Sequence, residues 1–105
     1  MTQMETNLGR SQGRKIEDYV KYANAEFSNR YKTAKSVRGR IYYVFPDNTA
    51  GIISYSTDKK TLWIEYADSV KDAKKDCFPW EGDGFPIDEL GPKEIIRKMI
   101  EEVEE

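Results

Sequence analysis

The stretch of the chain with the most chemical potential is residues 75–92, KDCFPWEGDGFPIDELGP. It contains five carboxylates, the only cysteine, three aromatic residues, three glycines and three of the four prolines. Closely spaced carboxylates can bind a divalent cation or act as general acid and base, and a thiolate can act as a nucleophile. The composition of this stretch therefore first suggests calcium binding, acid–base catalysis or thiol chemistry.

The spacing of these carboxylates does not match a calcium-binding loop. An EF-hand needs oxygen ligands at positions 1, 3, 5 and 12 and glycine at position 6, but a loop that starts at Glu81 has Phe85 and Pro86 at its fifth and sixth positions. A catalytic carboxylate pair would need a sugar-sized cleft, which a domain of 105 residues seldom provides. The sequence therefore predicts neither a metal site nor a cofactor.

Other catalytic signatures are also weak. Histidine is absent, which removes histidine-based nucleophile activation and Cys/His zinc sites. Cys77 lies beside Phe78, an environment typical of a small buried apolar residue. The segment GRSQGRK, residues 9–15, has neither the glycine spacing nor the Gly-Lys-Ser/Thr ending of a phosphate-binding loop. The prediction is that the protein is not an enzyme.

A binding surface fits the 75–92 stretch better. Phe78, Phe85 and Ile87 are expected to fold back onto the core, because a long irregular connector must bury something to keep its shape. A tryptophan with a polar rim has the composition of an interface hot spot, and acids beside it favour a basic partner. The predicted partner-binding residues are Trp80, Glu81, Asp83, Asp88 and Glu89.

The two halves of the chain differ in charge. Residues 1–45 hold nine Lys/Arg and four Asp/Glu, a net +5, and residues 46–105 hold eight and fifteen, a net −7. The halves could face different partners unless their charges interleave in the fold. Nucleic-acid binding through the basic half is the alternative function, and its candidate residues are Arg30, Lys32, Lys35, Arg38 and Arg40.

The sequence predicts a general class of function. The chain is predicted to be a small non-enzymatic protein that binds and inhibits a macromolecular partner with a basic surface, in the manner of immunity proteins, antitoxins and phage inhibitors. It has no apolar run of about 20 residues, so no membrane span is expected. Its first residues lack the apolar middle of a secretory signal, which predicts a cytoplasmic protein.

Periodicity predicts the elements that must position these residues. Residues 1–13 are predicted to be a flexible tail, and 14–105 a single domain. Apolar residues recur at steps of three and four from Ile16 to Ala34 and indicate one helix, and Pro92 should open a final helix. The last residues, EEVEE, put acid at a helix C-terminus and predict fraying there. A short capped turn of helix is expected after Asp68 or Ser69.

Three strands are predicted between the helices: IYYVF, GIISYS and TLWIEYA. Their short connections require an antiparallel meander. The predicted fold is α+β in two layers, with an N-terminal helix, a three-stranded antiparallel meander and a C-terminal helix that cover one sheet face (α-β-β-β-α). A homodimer formed through a sheet edge near Ile41 or Ile52 is left open.

Overall fold

The computed structural model describes residues 15–105, and the predicted tail of residues 1–13 lies outside this range. Residues 15–105 form three helices and six strands. In chain order these are α1 (Ile16–Arg30), β1 (Lys32–Lys35), β2 (Ile41–Val44), β3 (Ala50–Tyr55), β4 (Thr61–Ala67), α2 (Val70–Lys74), β5 (Trp80–Glu81), β6 (Phe85–Pro86) and α3 (Pro92–Glu104). The mixed α+β class, with a helix at each end of an antiparallel sheet, is confirmed.

The first helix is shorter than its apolar spacing predicts. It buries Ile16, Tyr19, Ala23 and Phe27 as expected, but it ends at Arg30. Tyr31 is extended, with φ −127° and ψ 153°, and the next four residues form strand β1. The prediction of a helix through Ala34 was wrong because a few apolar residues at the end of a pattern fit a strand as well as a helix, and pairing with β2 decides between them.

The predicted meander is the centre of a larger sheet. Strands β2, β3 and β4 pair in antiparallel order as expected, β1 adds to the free side of β2, and both β5 and β6 pair with β4. Over the described residues, the sheet therefore has six strands rather than three. Ile41 pairs with Lys35 of β1, and Ile52 lies in the middle of the sheet at 4% exposure, so neither is at a sheet edge. Among residues 15–105 the edges are β1 on one side and β5 and β6 on the other.

The two sheet faces carry separate apolar cores. Helices α1 and α3 cover one face, where the buried side chains are Ile16, Tyr19, Phe27, Tyr31, Tyr43, Phe45, Leu62, Ile64, Ile95 and Met99. The opposite face holds a smaller core formed by Tyr42, Ala50, Ile52, Ala67 and Ala73. Helix α2 packs on this second face through Ala73.

Capping residues predicted from the sequence mark the starts of the last two helices. The Ser69 hydroxyl caps α2 by accepting the backbone N–H of Asp72 at 3.1 Å. Pro92 begins α3, where its missing N–H leaves no hydrogen bond unmade. Over residues 15–105, none of the helices has the length and apolar character needed to cross a membrane.

Candidate protein-binding surface

The irregular stretch between α2 and α3 lies along the outer edge of β4. Trp80 and Glu81 pair with Tyr66 and Glu65, and Phe85 and Pro86 pair with Leu62 and Thr61 at the other end of the strand. Two further backbone bonds hold the segment, from the Gly82 N–H to the Ile64 carbonyl and from the Ile87 N–H to the Lys60 carbonyl, both at 2.8 Å. Residues 77–91 therefore form an interrupted edge strand, called the edge strap below.

Three apolar residues of the edge strap fold back onto the protein, as predicted. Phe85 and Ile87 pack on the core under α1 and α3, and Phe78 packs on the smaller core of the opposite face. The guanidinium carbon of Arg40 lies 5.4 Å from the centre of the Phe78 ring. These contacts keep the strap on the sheet without regular structure of its own.

Trp80 behaves differently from those three residues. The residue is 57% exposed although its backbone lies in a strand. Its indole Nε1–H donates to Asp68 Oδ1 at 2.8 Å, and its backbone pairs with Tyr66. The indole is therefore held in one orientation while much of its surface meets solvent.

The structure does not bring the five predicted partner-binding residues into one surface. Directly paired residues share a sheet face and successive residues alternate, so Trp80 lies on the face of Tyr66 and Glu81 on the opposite face with Glu65. Asp88 and Glu89 follow Ile87, which bonds to Lys60. At about 3.3 Å per residue, the part of β4 between Lys60 and Tyr66 separates them from Trp80 by about 20 Å.

Glu102, a residue that the sequence did not indicate, links Asp83 to the sheet face on which Trp80 lies. Glu102 of α3 accepts the Asp83 backbone N–H at 2.8 Å and also accepts the Tyr66 hydroxyl. Tyr66 thus stands between Trp80 and Glu102 on one sheet face. Asp83, Glu102 and Glu105 also line a small cavity of about 190 Å³, together with the cation Lys98.

These groups lie on either side of Tyr66. Asp68 and Trp80 are on one side, and Asp83 and Glu105 lie with Glu102 on the other. We call this set the acidic corner, and it consists of Asp68, Trp80, Asp83, Glu102 and Glu105. Asp68 and Glu102 could not be chosen from sequence, because only the pairing of β5 with β4 and the packing of α3 bring them to Trp80 and Tyr66. The one available signal was the acidic run at the chain's C-terminal end.

The last turn of α3 is held by side-chain contacts, which contradicts the predicted fraying. Glu104 accepts from Arg30 Nη2 at 3.1 Å and from the Tyr31 hydroxyl at 2.6 Å. These two hydrogen bonds lower the pKa of the Glu104 carboxyl. Burial, together with the Glu102 carboxylate, raises the pKa of Tyr66 far above its ordinary range, so Tyr66 remains a neutral donor.

The five basic residues of the alternative function are also dispersed. Arg30 pairs with Glu104, while Arg38 and Arg40 both pair with Asp76, at 3.4 and 3.0 Å. Lys32 and Lys35 lie on β1 and form no ion pair with another residue of the range 15–105. Three of the five cations are thus compensated by acids from the second half of the chain, and the charges of the two halves interleave.

Cys77 is exposed rather than buried, which corrects the sequence-based expectation. Within the described range, no three His, Cys, Asp or Glu side chains are grouped so that they could hold a metal ion. Cavities of about 330 and 590 Å³ adjoin on the outer side of α1 and α3, and both are lined by Lys93 and Ile96.

Comparison with known proteins adds no assignment. No family model matches the chain, and no curated protein or solved structure is significantly similar to it.

Proposed function

We propose that the protein is a non-enzymatic binding protein that attaches to a basic surface of a macromolecular partner through the acidic corner and blocks that surface. The observation that carries the proposal is Trp80, an indole that is more than half exposed yet fixed by strand pairing and by its bond to Asp68. Large exposed aromatic groups with a polar rim are typical of binding hot spots.

The charge around Trp80 supports a cationic partner. The final turn of α3 carries Glu101, Glu102 and Glu104 and has no basic residue. The C-terminal end of a helix also carries a partial negative charge from its unpaired carbonyls. Asp68 and Asp83 add to this field from the sheet side, so the corner attracts positive charge and speeds encounter with a basic surface.

The rigidity of the surface supports recognition. Backbone pairing of β5, the bond from Gly82 to Ile64 and the bond from Asp83 to Glu102 fix the strap before any partner arrives. A preorganised surface loses less conformational entropy on binding than a mobile loop would. Asp88 and Glu89 are not part of this proposed surface, since they lie at the far end of β4.

The experiment is affinity capture from cells of the source organism with three forms of the full chain. The wild type is compared with Trp80→Ala and with the control Tyr55→Ala. Tyr55 is another exposed aromatic residue, 41% exposed, and it lies at the end of β3 that pairs with Leu62, away from Trp80. The expected result is a partner with a basic surface that is retained by wild type and Tyr55→Ala and lost with Trp80→Ala. Retention should fall as salt rises, because exposed charges are screened.

Partner retention by Trp80→Ala at the wild-type level would contradict the proposed surface. Nucleic acid in the captured fraction, with retention that depends on Lys32 and Lys35 instead, would favour the alternative function. Circular dichroism of both variants provides the folding control, since each replaced side chain is substantially exposed and its loss should leave the fold intact.

A further inference from the structure

Residues 15–105 contain two places where an arginine lies over an aromatic ring and also pairs with a carboxylate. Arg40 lies over Phe78 at 5.4 Å and pairs with Asp76 at 3.0 Å and Glu65 at 3.7 Å. On the opposite sheet face, Arg30 lies 6.0 Å from the centre of the Tyr31 ring, and it pairs with Glu104 at 3.1 Å. In both, the planar cation contacts a ring and an acid together.

The acidic corner has the same aromatic and acidic components, but none of the arginines in residues 15–105 lies over its ring. Trp80 is the aromatic ring, Asp68 is fixed at the edge of the indole by a 2.8 Å hydrogen bond, and Asp83 and Glu102 lie beyond Tyr66. Within residues 15–105, the cations that lie over aromatic rings are Arg30 and Arg40, and neither lies over Trp80. Tryptophan is the aromatic residue that attracts cations most strongly.

From this we infer that the acidic corner is an arginine-recognition site, in which a guanidinium of the partner stacks on the Trp80 indole and pairs with the neighbouring carboxylates. The inference rests on the proposed function and specifies which side chain of the basic partner is bound. Arginine is preferred over lysine because its planar guanidinium is weakly hydrated, stacks on rings and can bond a carboxylate through two N–H groups. Lysine offers the same charge without that geometry.

The test uses two synthetic peptides of equal length and charge, one with four arginines and one with four lysines, each separated by glycine and serine. The full chain is labelled with ¹⁵N and titrated with each peptide, and the two indole N–H signals are followed. Trp80 reports on the acidic corner, and Trp63, whose Nε1 is buried, is an internal control in the same molecule. Wild type should bind the arginine peptide about 5-fold more tightly than the lysine peptide, with the Trp80 signal shifting and the Trp63 signal unchanged.

Three variants separate stacking from charge. Trp80→Ala should abolish the preference, leaving equal and weaker binding of both peptides. Asp68→Asn retains an oxygen that can accept the indole N–H but removes the charge, so it should weaken both peptides while Trp80 keeps its orientation. Tyr55→Ala should retain the wild-type preference.

Equal affinity of wild type for the two peptides, or an arginine preference that survives Trp80→Ala, would overturn the inference. These outcomes are distinct from failure of the proposed function. If a macromolecular partner is captured through Trp80 but the peptides bind equally, the binding function stands and the arginine assignment falls. If the arginine preference is found but no partner depends on Trp80, the assignment stands and the proposed function falls.

Discussion

Two neighbouring tyrosines on β2 show how the contribution of a buried hydroxyl to stability depends on a single hydrogen bond. Tyr42 is fully buried in the smaller core, and its hydroxyl has no hydrogen-bond partner among residues 15–105. Tyr43 is equally buried on the opposite face, but its hydroxyl donates to the Asn24 side chain. An unpaired buried hydroxyl costs about 1–3 kcal/mol of desolvation, whereas a paired one contributes about 1 kcal/mol.

Tyr42→Phe should therefore leave the free energy of unfolding unchanged or raise it by up to about 1 kcal/mol, because it removes a hydroxyl that bonds to nothing in the described chain. Tyr43→Phe, the matched control, should lower it by about 1 kcal/mol because the Asn24 oxygen loses its donor. Urea denaturation followed by circular dichroism measures both. An equal loss in the two variants would mean that Tyr42 has a partner of similar value.

The element that organises the acidic corner is the edge strap, and a close approach between strap and helix holds it. A Cβ atom on Gly82 would lie 2.0 Å from Glu102 Oε2, so only glycine lets α3 place its carboxylate against the strap. That carboxylate accepts from the Tyr66 hydroxyl and from the Asp83 N–H. The strap is thus fastened to the sheet on one side and to α3 on the other.

Gly82→Ala should displace the Glu102 carboxylate and release the centre of the strap while the rest of the sheet stays folded. We expect a loss of about 1 kcal/mol, because the carboxylate is the end of a flexible side chain and can move away. Hydrogen exchange should become faster for the amides of Gly82 and Asp83 and change little in β2 and β3.

The control for that experiment is Gly51→Ala, which introduces the same methyl group into the core. Its Cβ would lie 2.8 Å from both Ile64 Cγ2 and Phe45 Cε2, which are packed and cannot move away freely. This variant should lose about 1–3 kcal/mol of global stability. Faster exchange throughout the sheet in Gly82→Ala, as in Gly51→Ala, would contradict a local role for Gly82.

Elements whose ends depend on a few neighbouring residues were predicted from the sequence, and elements that depend on tertiary pairing were not. The cap at Ser69 and the start of α3 at Pro92 depend on one or two residues and were predicted correctly. Strands β5 and β6 have two residues each and exist because β4 offers an open edge, which no local pattern reveals. The same pairing puts Trp80 and Glu81 on opposite faces, so the composition of the strap could not indicate which acids share the face of Trp80.

For the whole molecule, the charge asymmetry of the sequence is partly neutralised by folding. Arg30 and Arg40, from the basic half, pair with Glu104, Asp76 and Glu65 from the acidic half. These pairs join α1 to α3 and the β1–β2 turn to β4 and the end of α2. Among the acids that remain, Asp83, Glu102 and Glu105 lie together where α3 ends beside the edge strap, and Lys98 lines the same cavity.

Three buried or half-buried tyrosines make the stability of the folded state sensitive to alkaline pH. Burial raises the pKa of Tyr31, Tyr43 and Tyr66, and hydrogen bonds to Glu104 and Glu102 raise those of Tyr31 and Tyr66 further. In the unfolded chain these phenols ionise near pH 10. Above that pH the folded state holds more protons than the unfolded state, so the free energy of unfolding falls as pH rises.

We therefore expect stability to begin to fall near pH 10 and to keep falling as the pH rises toward the raised pKa values of the folded state. Urea denaturation at pH 8, 9, 10 and 11 measures this fall. Tyr66→Phe is the control: it removes the phenol with the largest shift, so its stability should decline less steeply with pH than that of wild type. A wild-type stability that stays constant from pH 9 to 11, or an unchanged slope in Tyr66→Phe, would show that the Tyr66 proton is not held by its burial and by Glu102.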